Sequence, residues 1–460
     1  MTAVTPDSGA TAAAPLLDEL QAAIASDDRT RARQLAARLL EEDALALLKD
    51  LDPAALSRLF QILGDETLAD LLERLDERDA ADILERMNVA EAADVLEEIQ
   101  PDDATDILEE IDPAVGDVIL VQMEPAEAAE LRELMTYPPD TAGGIMTPAF
   151  VSISPELRAD QAIAALRKVA EHAETVNYVY VLDKDEHLLG VLSLHKLVLS
   201  RADTPVSQLM YRDPIAVRVD TDQEEAARIL TEHDLLALPV IDDQGRLAGI
   251  ITADDVADVL EEEVTEDIER LGGSAPLAEP YLRASPVLLF RKRIIWLMVL
   301  FMAQFVTVSI IDHFEHVLAQ ATVLSLFIPI LIGTGGNIGS QTVTTIIRSL
   351  AIGEAAPRHV LRILRKEMAT GLALGAVMAT LMFGRALLTS EGTTEVGLTV
   401  AVAVLAIAVW AATVGAVLPL ALTKLRVDPA VVSTPFISSF VDGSGLIIYF
   451  TLAQLLLDLG

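Results

Sequence analysis

The chain has 460 residues, no cysteine and a formal net charge of −38. Residues 285–460 hold 11 basic and 9 acidic side chains, a net of +2, so residues 1–284 carry a net charge of −40. A region this acidic repels nucleic acid and anionic lipid, and it expands by self-repulsion unless cations collect on it. The composition therefore excludes nucleic acid as a partner and favours divalent cations. Without cysteine there is neither a disulfide nor a thiolate metal site, which suits a reducing cytosol.

The N-terminal segment is rich in Ala, Thr and Pro. Residues 1–15 lack the basic start and the long apolar run of a signal peptide. We expect residues 1–25 to form a disordered tail, and residues 26–140 to form a helical N-terminal domain.

A twelve-residue repeat runs through this predicted domain. Each unit is too short to bury its own Leu/Ile stripe, so neighbouring helices must stack and share a core, which predicts a helical superhelix. Asp102 and Asp106 stand out, because their i, i+4 spacing places both carboxylates on one helix face, where they repel each other unless a cation lies between them. The other repeated acids are expected on a solvated face. The aspartates that mark the repeat are Asp70, Asp82, Asp94 and Asp106.

A second repeat follows, in which residues 180–193 match residues 239–252 at a constant offset of 59. Each copy combines helices, apolar strands and an Asp-rich turn, and the pair resembles tandem CBS domains, which we place at 141–260. CBS pairs often bind adenosine nucleotides through a Thr hydroxyl and an Asp carboxylate. Thr252 and Asp255 match that motif, whereas the first copy has Ser193 and Lys196. The resemblance thus implies a weak nucleotide site, with ATP as a candidate ligand.

An acidic helix with its linker is predicted at 252–280. Gly272 and Gly273 are a plausible C-terminal cap for this helix. A helix this acidic is either a solvated connector or is held by cations against another acidic surface, and we favour the second interpretation.

Five apolar stretches follow, each long enough to cross a hydrocarbon core of about 30 Å. Basic residues precede the first and separate the second from the third and the fourth from the fifth, whereas the other side offers at most Arg385. The positive-inside rule therefore places the N-terminal half in the cytoplasm and the C-terminus outside the cell's inner (plasma) membrane. The stretches, within a five-helix domain at 285–460, are 294–311, 321–347, 368–388, 398–423 and 430–457.

Two spans carry polar features. Five Gly and Pro positions between Pro329 and Gly339 would loosen the second span and free carbonyls, which is tolerated only where the backbone faces protein or a water-filled path. Close helix packing through small residues is the alternative explanation for Gly339 and Ser340. The fifth span carries Asp442. Inserting a carboxylate at membrane depth costs about 2.5 to 3.5 kcal/mol, so Asp442 is expected to bind a cation or a proton. The chain is predicted to move a cation.

Two other sets of polar residues have simpler explanations. Asp428 precedes Pro429 and is expected to cap a helix. His313 and His316 have the i, i+3 spacing of a metal pair but lack further ligands, so we interpret them as part of a solvated loop.

In this order the elements resemble the MgtE family of magnesium channels over about residues 35–457. The motifs that carry the resemblance are Gly333-Thr334-Gly335-Gly336-Asn337-x-Gly339-x-Gln341, and Asp428-Pro429-Ala430 followed by Asp442-x-x-Gly445. The resemblance implies a multi-domain membrane protein with an all-α helical-repeat N domain, an α+β tandem CBS domain, an acidic plug helix and a five-helix α transmembrane domain. We expect no enzymatic activity, because no catalytic constellation appears.

The resemblance further implies a homodimer in the lipid bilayer with a pore between its subunits. Asp442 would be the central Mg²⁺ ligand, and Asn337 and the backbone near Gly336 would supply polar contacts to a hydrated ion. Transport would be passive, and internal Mg²⁺ would close the pore by bridging acidic surfaces. The sensor residues implied by position are Asp102, Asp106, Glu224, Asp234, Asp255, Asp258, Glu263, Glu266 and Asp267.

Two alternatives remain open. One is a carrier of another divalent ion such as Mn²⁺ or Co²⁺, although the pore motif lacks the His and Met ligands that such ions favour. The other is a membrane-anchored nucleotide sensor without a pore, in which Asp442 only hydrogen-bonds between helices.

Overall fold

The computed structural model describes residues 16, 19–26, 28–41, 48, 51, 53–169, 173–277, 281–389, 393–425 and 427–459. The chain divides into two compact units, Met1–Leu260 and Glu261–Gly460. The first unit combines a helical series with two small sheets, and the second is helical. The predicted fold class is therefore confirmed.

Short helices form the start of the first unit. From α3 onward, each helix packs against the second helix after it, so the apolar faces share one core. Pro101, Pro113 and Pro125 begin α6, α7 and α8, where a residue without an N–H costs nothing. The helices are α1 Arg29–Glu41, α2 Pro53–Leu63, α3 Asp65–Leu72, α4 Glu77–Leu84, α5 Val89–Leu96, α6 Pro101–Glu110, α7 Pro113–Gln122 and α8 Pro125–Leu134.

A ladder of glutamates ties this helical series together. Glu73, at the C-terminal end of α3, accepts a hydrogen bond from the backbone N–H of Gln100, the N-cap of α6 (3.0 Å). The same bond recurs twelve residues later from Asp112 to Glu85 (2.8 Å), and again from Glu124 to Glu97 (2.5 Å). Each carboxylate thus satisfies a backbone donor that the start of a helix leaves unpaired.

The predicted disordered tail is partly wrong. Residues 19–25 are helical, and Leu20 and Ala23 are buried in the core of the helical series. Leu16, Leu20 and Ile24 recur at i, i+4 and i+8, so one helical face is apolar and finds that core. Residues 1–15 of the predicted tail and residues 278–280 of the predicted linker lie outside the described residues.

The two CBS-like copies form two small sheets with matching topology. In each, a parallel pair (β1–β2, β5–β6) is followed by an antiparallel hairpin (β2–β3, β6–β7), and β4 extends the first sheet. Tyr178 pairs with Ser193, and Ala237 pairs with Thr252, which is the same register at the predicted offset. The strands are β1 Ser152–Ile153, β2 Tyr178–Leu182, β3 Leu188–Ser193, β4 Tyr211–Arg212, β5 Val217–Arg218, β6 Ala237–Ile241 and β7 Leu247–Thr252.

The acidic helix is α13, Ala253–Leu271, and it follows β7 directly. It ends as predicted at Gly272 and Gly273. Gly273 has a positive φ of 77°, its N–H donates to the Arg270 carbonyl, and the N–H of Ser274 donates to the Glu269 carbonyl. This is the Schellman arrangement, in which glycine avoids the cost of a left-handed backbone. The other helices of the CBS-like region are α9 Ala159–Val169, α10 Leu194–Val198, α11 Val206–Leu209 and α12 Gln223–Glu232.

Five helices of the second unit are long and apolar enough to cross a membrane, which agrees with the five predicted spans. Helix α18 packs against α16, α17 and α19, and it holds much of the buried apolar surface. A short helix, α15 Glu315–Gln320, and a 3-10 turn, Thr322–Phe327, precede α16. The long helices are α14 Pro286–His313, α16 Ile328–Ala351, α17 Val360–Leu387, α18 Thr394–Lys424 and α19 Thr434–Leu457.

The predicted loosening of the second span is wrong. Helix α16 is continuous, and Pro329 lies in its first turn, where it breaks no hydrogen bond. Gly335 and Gly339 serve close packing instead. A Cβ on Gly335 would lie 2.7 Å from Ile407 of α18, and one on Gly339 would lie 2.8 Å from Ile437 of α19. The backbone carbonyls of this span therefore accept hydrogen bonds within the helix.

Candidate ion-binding sites

Five carboxylates from three parts of the first unit form what we call the acidic cluster: Asp102, Asp103, Asp106, Glu174 and Asp255. The first three lie on the first two turns of α6, Glu174 lies in the loop before β2, and Asp255 lies in the first turn of α13. Asp102 is 8% exposed, and the Thr147 hydroxyl donates to its carboxyl. Oδ1 of Asp102 and Oε2 of Glu174 are buried and have no hydrogen-bond partner among the described residues.

The acidic cluster lacks charge compensation, as its pKa values indicate. Burial, followed by the charge of Asp255, raises the pKa of Asp102 to about 7. Burial and neighbouring carboxylates raise the pKa of Asp103 and of Asp106 to about 8. Glu174 reaches a pKa of about 7 through burial and the charges of Asp102 and Asp255. Buried acceptor oxygens with elevated pKa values have high affinity for a proton or a cation.

The predicted separation of Asp102 and Asp106 from the rest of the repeat agrees with their burial. Asp70, Asp82 and Asp94 are exposed, whereas Asp102 is buried and Asp106 is half-buried. Repeat position alone does not distinguish them. At the start of α6, the Thr147 hydroxyl donates to the Asp102 carboxyl, and the charge of Asp255 acts on both Asp102 and Asp106.

Thr252 and Asp255, the candidate nucleotide ligands, form hydrogen bonds with each other. The Thr252 hydroxyl and N–H both donate to Asp255 Oδ2, at 2.6 and 3.0 Å. Thr252 directly precedes α13 and Asp255 is its third residue, so the bond from the Thr252 N–H to the Asp255 carboxylate is one half of a capping box. This local role accounts for both residues, and nucleotide binding stays a prediction.

The remaining predicted sensor residues are spread along the chain. Glu224 is exposed on α12, Asp234 is exposed in the turn after it with φ 51°, and Asp258 is exposed on α13. Glu266 forms an ion pair with Arg270, which also donates to Asp428 Oδ2 at 2.6 Å. Burial, together with the charges of Asp428 and Glu263, raises the pKa of Asp267 to about 6. The end of α13 thus places the Arg270 guanidinium among several carboxylates.

Only one group of three potential ligands converges within 4.8 Å among the described residues, and it contains none of the predicted sensor residues. It consists of Asp183, Asp185 and His187 in the β2–β3 turn. Asp183 accepts the backbone N–H of Asp185 and of His187, just as Asp242 accepts those of Gln244 and Arg246 in the matching turn. These bonds indicate a turn-forming role.

In the second unit, Asp442 lies on the face of α19 that meets α16. Its carboxylate is close to Gly336, since a Cβ there would lie 3.5 Å from Asp442 Oδ1. One turn earlier, the hydroxyls of Ser438 and Ser340 hydrogen-bond at 3.1 Å. Asn337 is exposed, as is Gln341 one turn further along α16. A carboxylate and a pair of hydroxyls thus lie within one helical turn of each other where α16 meets α19.

The start of α19 is later than predicted. Asp428 caps a 3-10 turn, Pro429–Val431, by accepting the Ala430 N–H at 2.7 Å, which confirms its predicted capping role. The long helix begins at Thr434 with Ser433 as N-cap, so Asp442 lies about 12 Å along its axis. At the other end of the spans, His316 Nε2 lies 2.9 Å from Gln454 Nε2, and His313 packs edge-on against Phe314.

Sequence reasoning missed Glu174, Thr147 and Arg270. Glu174 and Thr147 belong to no repeat or motif, so no local signal distinguishes them from other loop residues. Arg270 is a basic residue in an acidic helix, and that contrast was a usable signal. Its partner Asp428 is 158 positions away, which no pattern in a single sequence connects.

Five apolar helices that hold a carboxylate among small and polar residues define a multi-pass membrane transport protein. The family model for MgtE divalent cation transporters matches residues 328–452, that for the MgtE intracellular N domain matches 39–140, and the CBS domain model matches 142–203 and 206–262. The magnesium transporter MgtE of Thermus thermophilus is 42% identical over 330 residues, which is 72% of this chain and 73% of the relative. The chain therefore belongs to the MgtE family, whose members are transporters and not enzymes.

Solved structures match the first part of the chain. The crystal structure of the soluble part of a magnesium transporter is 34% identical with a TM-score of 0.50, and covers 54% of this chain and 98% of that one. The cytosolic domain of the Mg²⁺ channel MgtE, in complex with ATP, is 35% identical with a TM-score of 0.49, over 52% and 98%. The bound nucleotide is a property of that protein.

Proposed function

We propose that this protein is a Mg²⁺-selective channel that mediates passive Mg²⁺ uptake and that internal Mg²⁺ closes. The observation that carries the proposal is Asp442, a carboxylate within a membrane-crossing helix beside Gly336 and the Ser340–Ser438 pair. A carboxylate at that depth is costly without a cation, and Mg²⁺ prefers one or two carboxylates together with retained waters. Hydroxyl and amide groups nearby suit contacts to the hydration shell.

The pore is proposed to lie between two copies of the chain. Asn337 and Gln341 are exposed on α16 of one chain, although α16 is a membrane-crossing helix. Polar side chains at membrane depth are expensive unless they face protein or water. A homodimer whose α16 and α19 helices line a shared water-filled path would bring two Asp442 carboxylates to one ion.

Closure by internal Mg²⁺ is proposed to act through the acidic cluster. Two of its buried oxygens, Asp102 Oδ1 and Glu174 Oε2, have no hydrogen-bond partner among the described residues, and the charges that raise the pKa values of these two residues are other carboxylates. Without cations the cluster would repel itself, so bound Mg²⁺ would favour the arrangement that brings α6 to the start of α13. Glu224, Asp234, Asp258, Glu263, Glu266 and Asp267 are retained as further candidate ligands of this regulation.

Mg²⁺ uptake into liposomes that contain the purified protein tests the ion site. We expect Asp442→Ala to abolish flux, while Asp312→Asn, at the end of α14, conducts as the wild type does. Retained flux in Asp442→Ala would move the ion site elsewhere. Absence of flux in the wild type at low internal Mg²⁺ would favour a sensor without a pore, and stronger transport of Mn²⁺ or Co²⁺ in competition assays would favour another cargo.

The proposed orientation places the N-terminal half in the cytoplasm. Because the chain has no cysteine, single cysteines introduced near either end can be labelled without background. We expect a cysteine at Asp65 to react only after the inner membrane is permeabilised, and a cysteine at Asp458 to react in intact cells. The reverse pattern would invert the topology.

A further inference from the structure

We propose that one end of the membrane-crossing helices binds anionic phospholipid, through six basic side chains that we call the basic belt and through the outward face of α17. The inference concerns a partner of the protein, and it depends neither on Asp442 nor on which ion is carried. The basic belt consists of Arg348, Arg358, Arg362, Arg365, Lys366 and Lys424.

The basic belt is assembled from the ends of three helices. Arg348 lies in the last turn of α16, Arg358 in the 3-10 turn that precedes α17, and Lys424 at the end of α18. That turn packs against α18, and Val360 and Ile363 at the start of α17 pack against a small apolar core from α16 and α18. Because each of these helices is long and apolar enough to cross a membrane, this end lies at the level of the lipid headgroups.

The protein itself does not neutralise the basic belt. All six side chains are exposed, and none pairs with a carboxylate among the described residues. Between the end of α16 and the second turn of α17, the only acidic residues in the sequence are Glu354 and Glu367. Arg362, Arg365 and Lys366 lie in the first two turns of α17, where positive charge opposes the helix dipole. An anionic partner would remove this electrostatic cost.

Helix α17 directs charged and apolar side chains to the same side. Its inward face is marked by Gly371 and Gly375, where a Cβ would lie 2.9 and 3.0 Å from alanine side chains of α18. Away from α18, Leu372 is 53% exposed and lies seven residues after Arg365, a spacing that keeps both on one side of the helix and about 10 Å apart along its axis. Val377, also exposed, continues that apolar face.

This arrangement fits an anionic phospholipid better than other partners. A phospholipid supplies a phosphate to the charges and acyl chains to Leu372 and Val377. Free phosphate would satisfy only the charges. A second copy of the chain in a two-fold contact would bring the same face against itself, so six further positive charges would approach these six.

The start of α14 provides an internal comparison. Arg291 and Arg293 are exposed there as well, but the Lys292 ammonium between them donates to the Pro276 carbonyl. The acidic helix α13 ends beside this segment, since the N–H of Ala275 donates to the Lys292 carbonyl at 3.1 Å. With fewer free charges and carboxylates nearby, this site should attract anionic lipid less strongly than the basic belt does.

Tryptophan quenching by brominated lipid measures which lipid lies against α17. Leu372→Trp is made in the full-length protein after its two native tryptophans are replaced, as Trp296→Phe/Trp410→Phe. The protein is reconstituted in equal amounts of phosphatidylglycerol and phosphatidylcholine, with one or the other brominated. We expect about fivefold enrichment of phosphatidylglycerol at this tryptophan, which corresponds to about 1 kcal/mol. Val299→Trp is the matched control, because it also lies six residues after a basic residue and is 47% exposed. There the two lipids should quench nearly equally.

Charge removal tests whether the basic belt causes the enrichment. Arg362→Gln/Arg365→Gln/Lys366→Gln should bring the lipid ratio at Leu372→Trp close to one, whereas Arg291→Gln/Arg293→Gln should leave it unchanged. Equal loss in both charge variants would mean general surface charge and would overturn the site. Equal quenching by the two lipids with the basic belt intact, or weak quenching by both because protein covers this face, would also overturn the proposal.

Thermal unfolding of the wild type in detergent micelles needs no introduced tryptophan. We expect added phosphatidylglycerol to raise the Tm, and phosphatidylcholine or inorganic phosphate at the same concentration to leave it unchanged. The triple variant of the basic belt should lose that increase. An equal increase with phosphatidylcholine or with inorganic phosphate, or one that the triple variant keeps, would reject phospholipid binding at the basic belt. Neither measurement involves Mg²⁺ flux, so such a result would leave the proposed channel function standing.

Discussion

The acidic cluster and the end of α13 both concentrate carboxylates, yet they compensate the charge in different ways. At the acidic cluster, burial and the charges of other carboxylates raise the pKa values of Asp102, Asp106 and Glu174. At the end of α13, Arg270 lies between Glu266 and Asp428. Only a cation from solution can neutralise the acidic cluster, whereas Arg270 supplies a positive charge at the end of α13. The acidic cluster therefore depends on cations from solution more strongly than do Glu266 and Asp428, which Arg270 partly neutralises.

Removing charge from the acidic cluster should have the largest effect on regulation. We expect the full-length variant Asp102→Asn/Asp255→Asn to require about 10- to 100-fold more internal Mg²⁺ for half-inhibition, the range of typical coupling energies. The matched control is Asp82→Asn/Asp94→Asn, which neutralises two exposed acids of the same repeat. Equal inhibition of both variants in the liposome assay would mean that the acidic cluster is not the sensor.

Protons should distinguish the two carboxylate sites. Ordinary aspartates titrate near a pKa of about 4, so the values of about 7 to 8 in the acidic cluster mean that it holds protons at pH 7. Since these pKa values are raised, the contribution of protonation to the folded contact is fully present only below the ordinary pKa of about 4, and it declines as the pH rises from there through 7 to 8.

Mg²⁺ binding at pH 7 should therefore displace protons into solution. We expect a pH indicator in weak buffer to detect release from the full-length protein at pH 7 and much less at pH 9. The release should shrink in Asp102→Asn/Glu174→Gln and persist in Arg270→Gln. Release that is equal at the two pH values would contradict the raised pKa values.

In the glutamate ladder, backbone N–H groups compensate the charge of the carboxylates. Removing one of these glutamates should have the smallest effect of the substitutions considered. Glu97→Ala should leave the N–H of Glu124 without its partner and should lower the local opening free energy at the start of α8 by about 1 kcal/mol. Hydrogen exchange of the α8 amides measures this. Glu98→Ala removes an exposed neighbour and is the control. Identical exchange in both variants would mean that the ladder bond contributes nothing to stability.

Much of the fold was predictable because its signals are periodic. The twelve-residue spacing predicted stacked helices, the offset of 59 predicted two hairpins in the same register, and Gly272-Gly273 predicted the end of α13. Apolar length predicted five membrane helices. The sequence also singled out Asp102, Asp106 and Asp442, because carboxylates at those positions conflict with their surroundings.

Other features depend on contacts that no local pattern encodes. The continuity of α16 follows from how Gly335 and Gly339 fit against Ile407 and Ile437, although glycine by itself suggests a loosened helix. Thr252 and Asp255 match a nucleotide motif, but in the structure they bond to each other.

The amino-acid sequence by itself determined the type and order of the helices, strands and membrane spans and where uncompensated charge accumulates, since these depend on side-chain periodicity and composition along the chain. Only the tertiary structure decided which charges meet. It brought Glu174 to Asp102 and Arg270 to Asp428. The energy of a charge depends on its burial and on the nearest opposite or like charge in space, and neither can be read from neighbours in the sequence.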